Sequence, residues 1–208
     1  MPKDKAASRA RIISAARQEY MEKGFEKASM RVIAAQTGMT SAGLYRHFDD
    51  KEEMFASLVR PALDALYERM DQHIQQAWDC LECGNFEELW NASAGLTLLA
   101  GVIYEHFDAF YLLLRSAAGT RFEYFFDGFI EMDQIEMLKY MDALRTRGIG
   151  VHKISAEELH LLLNAYYSAV FEVAAHNFPK EEAMHYLNTI KRFFILDGGP
   201  YWGFRLLF

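Results

Sequence analysis

The sequence predicts an all-α protein, and three observations support that prediction. Only four prolines occur in the 208 residues. Apolar and polar residues do not alternate over any long stretch, as they would along half-buried strands. Residues that cap helices recur instead. Ser29, Thr40 and Asp50 each precede a helical pattern, where a short side-chain oxygen accepts hydrogen bonds from the free N–H groups of the first turn.

Further signals divide the chain into about nine helices. Capping-box spacing, or spacing close to it, occurs at Asn85 with Glu88, Thr120 with Glu123, and Ser155 with Glu158. Glycines stand where helices should stop, at Gly24, Gly38, Gly84 and Gly148. Pro61 should end or kink the fourth helix, because proline lacks the N–H that the helix needs. The predicted helices cover residues 9–23, 30–37, 41–47, 51–61 continuing through 62–82, 86–105, 108–117, 121–147, 156–176 and 180–196.

The composition limits which classes of protein the chain can belong to. Hydrophobic residues make up 51% of the chain and charged residues 25%, so the chain can bury a core. No uncharged apolar run is long enough to span a bilayer, and the basic N-terminus lacks the apolar centre of a secretory signal. The two cysteines, Cys80 and Cys83, do not suggest a disulfide scaffold and fit a reducing compartment. We therefore expect a cytoplasmic protein with no membrane partner.

Charge is distributed unevenly along the chain. Residues 1–48 contain nine Lys and Arg against four Asp and Glu, a sum of +5. The remainder contains thirteen against twenty-five, a sum of −12, and the two sums give the net charge of −7. A basic head on an acidic body indicates an anionic partner for the head alone.

The first 48 residues have the pattern of a helix-turn-helix unit. Ile12, Ile13, Ala16 and Tyr20 recur at helical spacing and form a buried stripe on helix one. Two short helices follow, joined by a tight turn at Gly38. In such a unit the second short helix lies in the major groove of DNA.

The residues of helix three suit contact with DNA. Ala42 and Gly43 are small, so the backbone can approach base edges closely, and Arg46 can pair with guanine through two hydrogen bonds. Thr40 and Ser41 offer hydroxyl groups at a helix N-terminus, which suits phosphate. Lys51, a little further along the chain, is a cation that can reach phosphate. Tyr45 either faces DNA or belongs to the core, and His47 either faces DNA or is an ordinary surface residue.

Residues 9–58 resemble the N-terminal domain of the TetR family of bacterial regulators. The resemblance rests on Gly24-Phe25, Ala34-Ala35, Gly38-Met39-Thr40, the run Leu44 to Phe48, and Lys51-Glu52. It implies an all-helical homodimer with DNA read by helix three and a ligand bound in the C-terminal body. Carried onto this chain, it implies base contacts at Ser41, Ala42, Gly43 and Arg46, with Arg31 as a further candidate. It implies phosphate contacts at Ser29, Thr40, Tyr45, His47 and Lys51.

The predicted domains are a helix-turn-helix domain over residues 1–50 and a helical ligand-binding and dimerisation domain over residues 51–208. Ten of the thirty aromatic residues lie between Tyr104 and Tyr140. That density suits either an apolar pocket or a tight core, and the resemblance favours the pocket. The candidate ligand-binding residues are Tyr104, His106, Phe107, Tyr111, Arg115, Phe122 and Phe126. Arg115 either extends to solvent or meets a polar ligand.

Two later helices have apolar residues on more than one face. On the segment 156–176, Leu159, Leu162, Tyr166, Ala169 and Val173 form one stripe, and a second contains smaller residues. A helix that is apolar on two faces is buried both by its own subunit and by a partner. We therefore expect the helices at 156–176 and 180–196 to form a four-helix bundle in a homodimer.

The sequence shows no catalytic or metal-binding pattern. Cys80 and Cys83 have C-x-x-C spacing, but no second pair of ligands completes a zinc site, so an incidental pair is the better interpretation. No phosphate-binding, nucleophile-elbow or dinucleotide motif occurs. We predict no enzyme activity, metal or cofactor. The function predicted is a homodimeric repressor that leaves a palindromic operator when a small apolar or aromatic effector binds. The alternatives are an activator of the same fold and a helical small-molecule-binding protein without a DNA function.

Overall fold

A computed structural model describes residues 2–84, 93–151, 153–176, 178–191 and 193. Within these residues there are nine helices and no strand, which confirms the predicted all-α class. The helices are α1 (Pro2–Lys27), α2 (Met30–Gln36), α3 (Ser41–Leu44), α4 (Lys51–Cys83), α5 (Ser93–Glu105), α6 (Phe107–Arg115), α7 (Phe125–Thr146), α8 (Ala156–Ala175) and α9 (Lys180–Lys191).

Helix α1 begins earlier than predicted. The sequence places its start at residue 9, whereas the helix starts at Pro2, a residue that suits a first turn because its missing N–H needs no partner there. The predicted stop at Gly24 corresponds to a real break. Gly24 has φ 71° and ψ 166°, a non-helical conformation, and helical structure then resumes as far as Lys27.

Pro61 does not end helix α4. The helix runs without interruption from Lys51 to Cys83, so the predicted end at Pro61 is wrong. Phe55 and Val59 before the proline and Leu66 after it are fully buried. Burial of this apolar face outweighs the single hydrogen bond that the proline removes.

Two further boundaries differ from the prediction. Helix α3 ends at Leu44 rather than residue 47, and the chain continues in tight turns in which the His47 N–H donates to the Leu44 carbonyl at 2.8 Å. Helix α7 begins at Phe125 rather than residue 121. The Arg121 N–H donates to Glu52 Oε1 at 2.8 Å, and this hydrogen bond joins the segment before α7 to α4.

Some predicted features lie outside the described residues. These are the capping pair Asn85 with Glu88, the start of a helix at residue 86, and the last residues of the segment 180–196. The predicted capping box at Ser155 with Glu158 is confirmed. Ser155 Oγ accepts from the Glu158 N–H at 3.1 Å, and Glu158 Oε2 accepts from the Ser155 N–H at 2.9 Å.

The chain divides into two compact units. The first unit comprises residues 1–64 together with 106–125, and the second comprises 65–105 together with 126–208. Aromatic rings form the centre of the first unit, where Phe55 lies 5.3 Å from Tyr20, 5.6 Å from Phe25 and 6.2 Å from Phe122 between ring centroids. The two stretches of this unit are also joined through the Phe25 N–H, which donates to the Ser116 carbonyl at 2.9 Å.

The second unit has its own aromatic core between α7 and α8. Phe129 is fully buried, with its ring centroid 4.9 Å from Tyr167 and 5.8 Å from Phe171. The Tyr167 hydroxyl donates to Asp133 Oδ2 at 2.7 Å, and both side chains are buried. Burial raises the pKa of Asp133, and the hydrogen bond from Tyr167 opposes that rise.

The described part of the chain contains no single helix with the length and apolar character of a membrane span. Helices α5 and α6, separated by a break at His106, meet that test only as a pair.

Candidate nucleic-acid interface

The turn between α2 and α3 has the tight geometry that the sequence predicts. Gly38 has φ 68°, a left-handed conformation that glycine adopts without steric cost. The N–H of Met39 donates to the Ala34 carbonyl at 2.9 Å, which closes the C-terminal end of α2. The connection between the two helices is therefore only four residues long, 37–40, and α3 starts directly after Thr40.

Thr40 caps helix α3 as predicted. Its Oγ1 accepts from the Gly43 N–H at 3.1 Å. A Cβ atom placed on Gly43 would lie 3.4 Å from that oxygen, so glycine keeps the first turn uncrowded. The Thr40 oxygen is thus already used as a cap, and its O–H group is the part that remains able to donate to a phosphate.

Helix α3 and the turn after it separate buried residues from exposed ones. Leu44 is fully buried and Phe48 is 4% exposed, so these two residues anchor the segment to the core. Tyr45 is 50% exposed, and Arg46 is exposed beside it. The side chains predicted to meet DNA therefore face outward. The remaining predicted contacts on the segment are exposed Ala42 and the half-buried residues Ser41, Gly43 and His47.

His47 is held partly inside the head. Its buried Nδ1 has no hydrogen-bond partner within the described residues. Its carbonyl accepts from Arg9 Nη1 at 2.9 Å. This hydrogen bond joins α1 to the end of residues 41–47, which we call the reading segment.

A buried carboxylate that the sequence did not single out fixes the start of α2. Glu19 is 1% exposed, and its Oε1 accepts from the Ser29 N–H at 3.0 Å and from Lys23 Nζ at 3.1 Å. The prediction that the Ser29 side chain caps α2 is wrong, since it makes no cap hydrogen bond within the described residues and Glu19 accepts from the Ser29 N–H instead. The signal was present in the sequence, because Glu19 falls three residues after Ala16 on the buried side of α1. Arg31 in the next turn is exposed.

Lys51 is engaged within the head. Its Nζ donates to the Glu26 carbonyl at 3.2 Å and lies 4.5 Å from the centre of the Phe25 ring. Burial lowers the pKa of Lys51, and the nearby carboxylates Glu19 and Glu26 oppose that effect. Lys51 therefore supports the joint between α1 and α4 in addition to any contact with phosphate.

The candidate ligand-binding residues are divided between the two units. In the first unit, His106, Phe107, Tyr111 and Phe122 are half-buried and Arg115 is exposed. In the second unit, Tyr104 and Phe126 are half-buried. The Tyr104 hydroxyl donates to the Phe178 carbonyl at 3.4 Å, and the Phe126 ring lies 5.8 Å from that of Phe171.

The described residues contain no group of three or more His, Cys, Asp or Glu side chains that is placed to hold a metal ion. Cys80 and Cys83 are both thiols near the end of α4, with Cys80 half-buried and Cys83 exposed. Tyr140 lies near Cys80, and burial raises the pKa of the Tyr140 hydroxyl to about 12.

Comparison with known proteins assigns the family. The family model described as bacterial regulatory proteins, tetR family, matches residues 12–58, the segment that contains α2, α3 and the buried face of α1. By this match, residues 12–58 form a TetR-family domain. Its curated relatives include the HTH-type transcriptional repressor KstR2 of Mycolicibacterium smegmatis, which is 32% identical over 81 residues, 39% of this chain and 40% of that protein. The transcriptional repressor AcnR of Corynebacterium efficiens is 38% identical over 53 residues, 26% of this chain and 28% of that protein.

The chain matches less than half the length of those curated relatives, and both are transcriptional repressors. The fold of the whole chain is similar to solved family members. SCO3833 from Streptomyces coelicolor A3 has a TM-score of 0.62 at 18% identity, with 89% of each chain covered. NalD from Pseudomonas aeruginosa has a TM-score of 0.53 at 17% identity, with 90% of this chain and 96% of NalD covered. At these identities the likeness concerns the fold alone.

Proposed function

We propose that this protein is a homodimeric transcriptional repressor that binds a palindromic operator and releases it when a small effector binds. The observation that carries the proposal is the exposed pair Tyr45 and Arg46, presented by a segment whose Leu44 and Phe48 are locked into the core. A short helix held in this way has the fixed geometry that base reading requires. The charge of +5 on residues 1–48 supports the same partner, because DNA is a dense array of phosphates.

The DNA-binding part of the proposal is tested with Arg46→Ala. Binding is measured by fluorescence anisotropy on duplexes from the region upstream of the gene and on single-base variants of the bound site. We expect the variant to lose about 1–3 kcal/mol of preference at one base pair in each half-site. Arg147→Ala is the matched control, because it removes an exposed arginine of the second unit with the same change in charge. Unchanged base preference in Arg46→Ala would refute the assignment of the reading residue.

Self-association is proposed to use α8 and α9. Leu161 is 68% exposed and Met184 is 42% exposed, while Leu163 and Leu187 on the same two helices are buried. On the predicted apolar stripe of α8, Leu159 and Val173 are buried and Leu162, Tyr166 and Ala169 are half-buried. Large apolar side chains left exposed on two adjacent helices support an interface there. Two copies in a two-fold dimer would present two reading helices to half-sites about 34–36 Å apart or a multiple of that distance.

The effector is proposed to be a small apolar or aromatic molecule bound in the C-terminal part of the chain, where residues 104–140 are rich in aromatic side chains. The support is compositional: half-buried rings with a few polar groups are typical of ligand pockets. A thermal-shift screen of apolar and aromatic compounds identifies binders, and the anisotropy assay then measures operator affinity with each binder present. We expect a true effector to weaken operator binding by about 1–3 kcal/mol. A binder that strengthens operator binding would support the activator alternative, and absence of any duplex binding would support the small-molecule-binding protein.

A further inference from the structure

The N-terminal part of α1 carries most of the positive charge of the head. Residues 1–11 contain Lys3, Lys5, Arg9 and Arg11 against Asp4, a sum of +3 out of the +5 found in residues 1–48. The structure extends α1 to Pro2, so this charge lies on a helix that continues past the core. A helical extension holds its side chains in a fixed order around an axis, which an irregular tail would not do.

One face of α1 changes its chemistry along the helix. Ile12, Ala16 and Tyr20 recur on one face and are fully buried in the head. The same face, continued toward the N-terminus, carries Arg9 and then Lys5, and both are exposed. Along this face of α1, the apolar side chains that pack in the core are therefore followed by cationic side chains beyond the core.

Arg9 places this cationic stripe next to the reading segment. Arg9 Nη1 donates to the His47 carbonyl at 2.9 Å, and Arg9 Cζ lies 4.3 Å from the centre of the Phe48 ring. The guanidinium group is therefore oriented by a buried ring and by the backbone beside Tyr45 and Arg46. A guanidinium has five N–H donors, and one of them makes this hydrogen bond, so the others can meet an external acceptor.

Lys5 lies one turn further out than Arg9. A spacing of four residues puts the two side chains on the same face, about 6 Å apart along the helix axis. Lys5 is exposed, and it makes no hydrogen bond or ion pair within the part of the chain that the structure describes. Its ammonium group can therefore reach outward without breaking any contact that supports the fold.

We propose that Arg9 and Lys5 bind DNA phosphates on the flank of the site that helix α3 reads. The inference rests on the proposed function, and it adds a contact surface on α1 to the residues of α2 and α3. An arginine held flat against a ring suits phosphate because its fork of N–H groups matches two phosphate oxygens, and lysine adds a mobile point charge. These contacts raise the affinity for any duplex and carry no base preference.

The test is the salt dependence of DNA binding in the full-length protein. Lys5→Gln and the double variant Lys5→Gln/Arg9→Gln are compared with the unmodified protein on a 30-base-pair duplex pool of random sequence. Each lost phosphate contact reduces the slope of log K against log salt by about 0.9. From 50 to 200 mM salt, the unmodified protein should lose about 12-fold more affinity than the double variant and about 3.5-fold more than Lys5→Gln.

Lys139→Gln is the matched control for charge. Lys139 lies on α7 in the second unit, where its ammonium pairs with Glu136 Oε1 at 2.5 Å. This variant changes the net charge as Lys5→Gln does, and it should keep the slope of the unmodified protein. If the Arg9 substitution disturbs the fold, as seen by circular dichroism, Lys5→Gln alone decides the result.

Two failures can be told apart. If the unmodified protein binds the duplex with a steep slope, and Lys5→Gln has the same slope as Lys139→Gln, then the contact surface on α1 is refuted and the repressor proposal stands. If the unmodified protein shows no salt-dependent binding to any duplex, the proposed function itself fails.

Discussion

The buried hydrogen bond between Tyr167 and Asp133 makes a sharp prediction about stability. Tyr167→Phe removes the hydroxyl that donates to Asp133 Oδ2 at 2.7 Å and keeps the ring that packs on Phe129. A hydrogen bond to a charged group contributes about 1.5–3 kcal/mol to the free energy of unfolding. For a chain of this size, each kcal/mol corresponds to about 2–4 °C, so we expect the Tm at pH 7 to fall by about 3–12 °C.

The loss should depend on pH in a defined direction. Burial raises the pKa of Asp133 in the folded protein, so the folded state favours the protonated acid. The stability that this group contributes is present below the ordinary pKa of an aspartate and is lost as the pH rises through the folded pKa. Tyr167 limits that loss, because its hydrogen bond lowers the pKa of Asp133. Without the hydroxyl, the deficit of the variant relative to the unmodified protein should grow from pH 4 to pH 7.

The assay is urea denaturation at matched protein concentration, followed by circular dichroism at pH 4 and pH 7. Tyr124→Phe is the control, because Tyr124 is 71% exposed and losing its hydroxyl should change the free energy of unfolding by less than about 0.5 kcal/mol. The reasoning is refuted if Tyr167→Phe is as stable as Tyr124→Phe at pH 7, or if its deficit is equal at the two pH values.

Three more predictions concern turns, caps and self-association. Gly38→Ala should cost about 1 kcal/mol by thermal denaturation, because Gly38 has φ 68°, whereas Gly128→Ala at an exposed position of helix α7 should be neutral or stabilising. Ser155→Ala should cost about 1 kcal/mol in urea, since it removes the cap of α8, and an unchanged unfolding midpoint would contradict the cap's role. Leu161→Glu should yield a helical monomer in sedimentation velocity, and a variant that still sediments as a dimer would exclude this face from the interface.

The parts of the fold that could be predicted depend on local chemistry. The cap at Thr40 and the capping box at Ser155 involve atoms three residues apart, so the sequence contains both partners. The sequence assigned Arg46 to the surface that contacts DNA, and Arg46 is exposed; it left Tyr45 either facing DNA or in the core, and Tyr45 is 50% exposed.

The parts that could not be predicted depend on contacts between distant residues. Helix α4 continues through Pro61 because the apolar face that includes Phe55 finds partners from other parts of the chain. The segment at Arg121 is not helical, and its N–H is bonded to Glu52, 69 residues away. The partner of the buried Glu19 carboxylate, the Ser29 N–H, likewise lies ten residues away, across the connection between α1 and α2. The candidate ligand and dimer contacts stay predictions that the proposed experiments test.

The composition of the first unit has a practical consequence for building chimaeric regulators. A DNA-reading cassette cut after residue 50 or 64 would leave out residues 106–125, which belong to the same unit. The Phe25 N–H would lose the Ser116 carbonyl, the Arg17 guanidinium would lose its 2.8 Å partner Asp108, and the ring of Phe55 would lose Phe122. A transplant that keeps its own α6 and the segment to residue 125 should hold its operator specificity in a foreign body, whereas the shorter cassette should misfold or aggregate.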